Sequence, residues 1–261
     1  MWSSGIVDWD CLITGRQGKL SLKTFETIAA YTKKSLEELA DNNPNYFSDL
    51  LPANQHWRFF PEFRESTAYI DIETTGIKMF GFEITTIALY DGESIRYYVQ
   101  GQNLDDFMDD IQNYNVIITY NGKSFDVPFI EGQFKTRLNH AHIDLRYVLK
   151  SLGYTGGLKL CEKAVGLDRN DLDGVDGCFA VLLWLDYHEE NNVKALETLL
   201  AYNIEDVVNL ETLMVMAYNG KIKDTPFYES HQLSLPKRPE IPFKPDLETI
   251  DRIRREIFGA D

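Results

Sequence analysis

The alternation of apolar and polar positions changes its period along the chain and predicts a mixed α/β protein. Residues 68–73 alternate with the period of two that is typical of a strand, so Asp71 and Glu73 share one face while Ile70 and Ile72 share the other. The Thr-Thr-Gly sequence that follows ends the strand in a turn. This first strand therefore delivers two carboxylates to one place.

Further periodic runs predict a sheet of five strands with helices on both faces. Residues 84–90 and 94–99 are two strands joined by an Asp-Gly turn, so the first three strands are expected to be antiparallel. Residues 104–111 have helical periodicity, and residues 115–120 form an apolar fourth strand that is expected to be central. One long helix is predicted over residues 193–218.

The two ends of the chain differ from this middle part, which predicts an extension over 1–66, a core domain over 67–220 and a proline-rich segment with a C-terminal helix over 221–261. In the extension, Ser35 and Glu38 have the spacing of a helix-capping box. Trp57, Phe59, Phe60 and Phe63 precede the first strand. Such an aromatic cluster either packs the extension onto the core, which we favour, or stacks bases.

Composition limits the classes of partner. The chain has 261 residues, 44% of them hydrophobic, and a net charge of −15. Residues 67–220 carry 24 acidic and 11 basic side chains, so a polyanionic partner has to be held locally, by bound cations and a few placed Lys or Arg side chains.

Three features predict a cytoplasmic protein without a membrane or disulfide-linked partner. Residues 1–5 lack the pattern of a signal peptide, and no apolar stretch approaches the length needed to span a membrane. Cys11, Cys161 and Cys178 are scattered, and we expect them to be reduced, buried thiols. The sequence does not indicate an oligomeric state.

Further polar residues follow the fourth strand. Asn121 lies on a turn, Ser124 is a candidate helix cap, and Asp126 falls in the first turn of the next helix, where open α/β sheets bind ligands. Attraction to the helix dipole alone also accounts for the position of Asp126. Asp144 is expected to cap a helix that runs to residue 152.

Two loops follow this helix, and they differ in character. Residues 153–157 form a Gly-rich loop before Lys159, which indicates a weak phosphate site, although C-capping explains Gly153 equally well. Residues 169–177 are polar and acidic, and are expected to be an exposed loop.

Tyr202 and Asp206 are four residues apart, so they share one face of the long helix. A solvated Tyr–Asp contact is the simpler interpretation of this pair in isolation. Taken with the first strand and Asp126, however, three elements supply four carboxylates, and such a set suits divalent cations that prefer oxygen ligands.

These motifs, in this order, resemble the DEDD 3′–5′ exonucleases of the ribonuclease H-like superfamily. Asp71-Ile-Glu-Thr-Thr-Gly resembles the first motif, Asn121-x-x-x-Phe125-Asp126 the second, and Tyr202-x-x-x-Asp206 the third in its tyrosine (DEDDy) form. The Trp-Arg-Phe-Phe-Pro-Glu-Phe, Gly-Tyr-Thr-Gly-Gly-Leu-Lys and Tyr-Asn-Ile-Glu-Asp-Val-Val-Asn-Leu sequences are similar to the YprB-like branch. The resemblance covers residues 56–218 and implies a ribonuclease H-like sheet.

The resemblance also implies a chemistry. Asp71, Glu73, Asp126 and Asp206 would hold two Mg²⁺ or Mn²⁺ ions, and Tyr202 would orient the attacking water. The residues expected to contact the 3′ end of single-stranded DNA or RNA are Thr74, Asn121, Lys123, Phe125 and Lys159. Two alternatives stay open: a nucleic-acid-binding module with a degenerate site, and an endonuclease on the same fold.

Overall fold

The computed structural model describes residues 6, 8–15, 19–76 and 83–259. It contains a five-stranded sheet in the order β3-β2-β1-β4-β5, and its strands are β1 (Thr67–Thr74), β2 (Ile84–Tyr90), β3 (Ile95–Val99), β4 (Val116–Thr119) and β5 (Ala141–Asp144). The first three strands are antiparallel, whereas β4 is parallel to both β1 and β5. The predicted mixed sheet is confirmed, and the strand with the two acids lies in its middle.

Twelve α-helices surround this sheet in the described part of the chain. They are α1 (Asp10–Ile13), α2 (Leu22–Ala40), α3 (Pro44–Leu50), α4 (Phe60–Phe63), α5 (Phe107–Asp110), α6 (Asp126–Phe134), α7 (Leu145–Lys150), α8 (Leu158–Val165), α9 (Gly177–Glu190), α10 (Val193–Ile222), α11 (Tyr228–His231) and α12 (Leu247–Phe258). Short 3-10 segments lie at Ala53–Arg58, Arg64–Ser66, Leu104–Asp106, Ile111–Asn113 and Asn170–Leu172.

The alternation along β1 separates two hydrophobic cores. Tyr69 belongs to the larger core, which α7, α9 and α10 build on one face of the sheet. Ile70 and Ile72 belong to the smaller core on the opposite face, which contains residues of α5 and α6. Because Asp71 and Glu73 alternate with these isoleucines, they lie on the same face as Tyr69 and are directed toward α10.

Helix α10 is the main partner of the sheet. Its 30 residues begin at the N-cap Asn192, whose side chain accepts a hydrogen bond from the Lys194 N–H, and it packs against β1, β2, α9 and α7. More than half of its side chains are buried, including polar ones near its middle. The helix predicted over 193–218 is thus confirmed and extends to Ile222.

Four local expectations are wrong. Ser35 does not start a helix, because α2 runs unbroken from Leu22 and is capped by Ser21; no glycine or proline interrupts it. The segment predicted as one helix over 104–111 is divided into 3-10 and α turns. Ser124 does not cap α6, since its hydroxyl donates to the carbonyl and side-chain oxygens of Asn121 instead.

The fourth error concerns the loop 169–177, which is exposed only in part: Asp171, Asp173 and Asp176 are exposed, whereas three other side chains are not. The Arg169 side chain is only 7% exposed, and Leu172 and Val175 are buried in the larger core. Of the cysteines, Cys11 and Cys161 are buried as expected, whereas Cys178 is exposed, against expectation; Cys161 and Cys178 are free thiols.

Residues before and after the sheet cover its larger core. Trp57, Phe59, Phe60 and Phe63 lie inside that core, as do Ile250 and Ile253 of α12. Among the described residues, no helix combines the length and the apolar character that crossing a membrane requires. Residues 1–5, in which no signal-peptide pattern was found, lie outside the described residues.

Candidate active site

Three carboxylates from two elements meet at one point beside the middle of the sheet. Strand β1 supplies Asp71 and Glu73, and helix α10 supplies Asp206. One oxygen from each of them lies within 4.8 Å of the other two. Glu73 and Asp206 are buried, and Asp71 is partly open to solvent. The solvated alternative for Asp206 is therefore wrong, because the residue is only 5% exposed.

Asp126 approaches the same strand from the other side. It is the first residue of α6, is 3% exposed, and accepts a hydrogen bond of 3.2 Å from the backbone N–H of Ile72, the residue between the two acids of β1. Its charge also raises the pKa values of Asp71 and Glu73. Asp126 is thus next to the three-carboxylate cluster, although it is not one of the three acids whose oxygens lie within 4.8 Å.

A short hydrogen-bonded chain fixes the orientation of Asp71. The hydroxyl of Thr86 on β2 donates to Oδ1 of Asn203, at 3.0 Å, and Nδ2 of Asn203 donates to Oδ2 of Asp71, at 2.7 Å. Because the hydroxyl contact occupies the amide oxygen, the amide nitrogen has to face the carboxylate. Asn203 follows Tyr202 directly in the third motif, yet the sequence analysis did not assign it a role.

Burial and mutual repulsion raise the pKa of every acid in the group. The pKa values of Asp71 and Glu73 lie well above the usual range, first because the surrounding protein desolvates both carboxylates and then because Asp206 and Asp126 are close. Burial also raises the pKa of Asp126 to about 7 and that of Asp206 to about 6, the latter against the opposing charge of Arg169. Without a bound metal ion, each ionised acid in this group lowers the stability of the fold.

Arg169 contacts the acidic cluster, and the sequence analysis did not single it out. Its Nε and Nη2 donate to Oε2 and Oε1 of Glu162, at 2.6 and 2.8 Å, and Nη2 also forms an ion pair with Oδ1 of Asp206. Glu162 and Asn209 continue the contact, since Nδ2 of Asn209 donates to Oε1 of Glu162 at 2.9 Å. A buried cation therefore stands directly against the acidic cluster.

Two cations lie over the ring of Tyr202. Nζ of Lys159 is 4.8 Å from the ring centroid and Cζ of Arg169 is 5.6 Å from it. Lys159 also donates to the carbonyl oxygen of Val175, so its ammonium group is held in place. Burial, and then the charges of Asp206, Glu73 and Asp71, raise the pKa of Tyr202 far above its ordinary value, so its hydroxyl is protonated at neutral pH.

The other residues that are expected to contact the substrate lie at the end of β1 and in the loop between β4 and α6. Thr74 ends β1 and is buried, whereas Phe125 is 39% exposed and packs against Phe129 at a ring distance of 4.7 Å. Oδ1 of Asn121 accepts hydrogen bonds from Ser124 and Arg146. The Lys123 N–H donates to Asp144, at 3.1 Å.

Asp144 and Gly122 fix the conformation of the loop between β4 and α6. Asp144 caps α7 as predicted, with Oδ1 accepting from the Arg146 N–H, and it also accepts from the Asn121 N–H at 2.8 Å. Asn121 has a positive φ of 68°, a conformation that asparagine tolerates better than most residues. A Cβ at Gly122 would lie 2.3 Å from Oγ1 of Thr119, so only glycine fits there.

The donor set suits a hard divalent cation. All candidate ligands are carboxylate oxygens, which is the chemistry that Mg²⁺ and Mn²⁺ prefer. Oδ1 of Asp206 is buried and accepts no hydrogen bond of good geometry from the described residues, although it lies beside Arg169. Buried carboxylates whose pKa values are raised by desolvation and by one another favour the binding of a positive ion.

Comparison with known proteins places this site in a family. No curated protein matches the sequence. One similar solved structure is the family B DNA polymerase of the hyperthermophilic archaeon Pyrobaculum calidifontis, with 15% identity and a TM-score of 0.45 over 64% of this chain and 27% of the polymerase. The profile of the RNase_H superfamily matches residues 68–222, which contain all four acids and all of the sheet except Thr67. The chain therefore belongs to the RNase H superfamily.

Proposed function

We propose that this protein is a metal-dependent 3′–5′ exonuclease of the DEDDy type, in a YprB-like branch. The observation that carries the proposal is the meeting of Asp71, Glu73 and Asp206, whose oxygens lie within 4.8 Å of one another beside Asp126. Membership of the RNase H superfamily supports hydrolysis of a nucleic acid. The direction of cleavage and the type assignment rest on the three sequence motifs.

Two divalent ions, Mg²⁺ or Mn²⁺, held by the four acids would supply a water of lowered pKa and neutralise charge on the phosphate that is cleaved. The chain prepares their positions before they bind. Asn203 aims Asp71, and the Ile72 N–H holds Asp126 against β1. Since β1 and α10 are rigid elements packed together, the ligands keep their spacing without help from a flexible loop.

Tyr202 positions the water and does not act as a base. Its raised pKa keeps the hydroxyl protonated, so it offers a hydrogen bond instead of taking a proton. Lys159 and Arg169 lie on its ring and add positive charge at the place where a phosphate would meet the acids. The exposed ring of Phe125 offers a surface on which the terminal base can stack.

Digestion of end-labelled strands tests the proposal. With Mg²⁺ or Mn²⁺, the protein should release 5′-mononucleotides from the 3′ end of single-stranded DNA or RNA, and EDTA should stop the reaction. The same assay on DNA and on RNA gives the preference between these two substrates.

Control substrates separate the two alternatives. A strand with a blocked 3′ end and a closed circle should both survive. Cutting of the circle would show an endonuclease. Binding of the strand without any cleavage, together with no calorimetric Mn²⁺ binding, would show a module with a degenerate site.

The surroundings of such an enzyme are also a proposal. The free thiols of Cys161 and Cys178 support a reducing compartment, and we propose the cytoplasm. Labelling with a thiol reagent in intact cells would show whether Cys178, the exposed one, stays reduced there.

A further inference from the structure

An open cavity between the β4–α6 loop, α7 and the loop before α8 differs from the rest of the chain in its charge. Its volume is about 670 Å³, and the residues that carry its chemistry are Tyr120, Asn121, Arg146, Lys150, Tyr154 and Leu158. We refer to this cavity as the basic basin. Among the described residues that line it, two are cationic and none is acidic, in a chain whose net charge is −15.

The cations of the basic basin are available to a ligand. Arg64, Arg169, Arg238 and Arg252 each form an ion pair with a carboxylate. By contrast, Arg146 donates to the amide oxygen of Asn121, which is neutral, and Lys150 forms no ion pair with a described residue. Exposed, unneutralised cations in an acidic protein attract a polyanion locally.

Aromatic rings and a helix end complete the basic basin. Tyr120 and Tyr154 line it, and the Tyr120 hydroxyl donates to the carbonyl oxygen of Gly156, which holds the ring in place. Helix α8 begins there at Gly157, and no side chain caps its first turn. Phosphates bind at such helix ends, and bases stack on such rings, so both parts of a nucleotide find a partner.

Two segments of the chain connect the basic basin with the candidate active site. The loop that contributes Tyr120 and Asn121 to its wall leads directly into Asp126. On its other side Leu158 lines the basin, and the next residue, Lys159, reaches the ring of Tyr202. These two connections favour a path on which a strand with its last phosphate at the acids continues into the basin.

We propose that the basic basin binds the single strand just upstream of its 3′-terminal nucleotide, with Arg146 and Lys150 on phosphates and Tyr154 against a base. This inference rests on the proposed function and adds the path of its substrate. Single-stranded nucleic acid is the ligand because stacking on a ring requires an unpaired base.

Binding without turnover tests the basic basin separately from the enzyme activity. Fluorescence anisotropy of a 5′-labelled oligonucleotide with phosphorothioate linkages, in Ca²⁺ buffer over a series of salt concentrations, gives the affinity and its salt slope. Lys150→Ala should weaken binding about 5-fold and lower the salt slope by about 0.7, the share of one phosphate contact on a single strand. Tyr154→Leu should weaken binding about 5-fold or more with the slope unchanged.

The matched control is Lys33→Ala, which removes an exposed lysine of α2 outside the basic basin. It should leave affinity and slope at the values of the unmodified protein. Equal affinity and slope in Lys150→Ala and Lys33→Ala would overturn the proposal, as would a complete lack of binding by the unmodified protein at low salt. If Lys150→Ala weakened the binding of a blunt duplex as much as that of the single strand, these cations would be assigned to the duplex backbone. That result would also overturn the proposal.

Kinetics separate this proposal from the proposed function. A dinucleotide is too short to fill both the acidic site and the basic basin, so Lys150→Ala should cleave it at the normal rate while its KM for a long strand rises about 5-fold. If Lys150→Ala kept normal exonuclease activity with no change in that KM, the proposed role of the basic basin would be wrong and the proposed exonuclease function would stand. Strand binding that depends on Lys150, with no cleavage of any substrate, would do the reverse.

Discussion

Replacement of Asp71 by asparagine should stabilise the metal-free protein and abolish stabilisation by metal. Asparagine has nearly the same shape, and its side-chain oxygen can still accept the 2.7 Å hydrogen bond from Asn203. What disappears is a negative charge among Glu73, Asp126 and Asp206. Because the pKa of Asp71 is raised, its ionisation destabilises the fold, and this cost grows as the pH rises through that pKa.

The size of the effect follows from the spacing of the acids. Two unit charges 4.8 Å apart repel by about 3 kcal/mol at an effective dielectric constant of about 20. Protonation and the nearby Arg169 relieve part of this repulsion, so we expect a gain in unfolding free energy of about 1–3 kcal/mol at pH 8. For a domain of this size, that gain raises Tm by about 2–10 °C.

Thermal unfolding of both proteins in EDTA and in Mn²⁺ measures the effect. In EDTA at pH 8 Asp71→Asn should have the higher Tm, and at pH 4 the two proteins should unfold together. Saturating Mn²⁺ should reverse the order, since binding at 100 times Kd adds about 2.7 kcal/mol to the unmodified protein alone. A lower Tm for Asp71→Asn in EDTA at pH 8 would show that the acid is structural and refute the metal site.

Three further predictions concern the rest of the site. Tyr202→Phe should keep its Mn²⁺ affinity while its turnover falls about 10²–10⁴-fold, whereas Asp206→Asn should lose both Mn²⁺ affinity and turnover. Calorimetry and single-turnover rates on one labelled strand measure the two quantities. Full activity in Tyr202→Phe would mean that the tyrosine is a packing residue only. Arg169→Gln leaves two buried carboxylates without their cation and should cost about 3–5 kcal/mol in urea unfolding. The control Lys194→Gln breaks an ion pair with Glu197 in which both partners are partly exposed, at 61% and 34%, and should leave the unfolding free energy nearly unchanged; similar costs would contradict the assignment of Arg169 to the site. Because burial raises the pKa of Asp126 from 3.8 to about 7, the metal-free protein should lose stability as the pH rises from 4 to 7, and Asp126→Asn should flatten that loss in pH-dependent urea titrations; an unchanged slope would exclude Asp126 as its source.

The sheet and the acids on it were predictable because their signals are local. The period of two in β1 separates Asp71 and Glu73 from Ile70 and Ile72, and each face of the strand meets its own hydrophobic core. The long helix α10 was also predictable, because its apolar residues recur with the helical period. Where a motif lies on such an element, the element fixes its direction.

Arg169 could not be found in the same way, because its role depends on contacts that local pattern does not encode. It lies in a segment rich in Asp and Gly, which normally indicates an exposed loop. Its burial comes from Glu162, seven residues earlier, and from Asp206 on a different helix. Only the spacing of Glu162 and Arg169 around the end of α8 hinted at a pair.

Other misses have similar causes. Ser35 has the spacing of a cap, but a cap starts a helix only where the preceding chain leaves the helical conformation, and here α2 is already formed. Asn203 was overlooked because its value lies in joining Thr86 to Asp71, two residues that are distant in sequence.

The burial of the aromatic residues 57–63 in the larger core matters to anyone who wants to excise this domain. Cutting the chain at the limits of the superfamily match would remove Trp57, Phe59, Phe60 and Phe63 from one end and the core residues of α12 from the other. It would also leave Glu211 and Glu205, which are nearly buried on α10, without the guanidinium groups of Arg64 and Arg238. The smallest piece that folds is therefore longer than the piece that homology outlines.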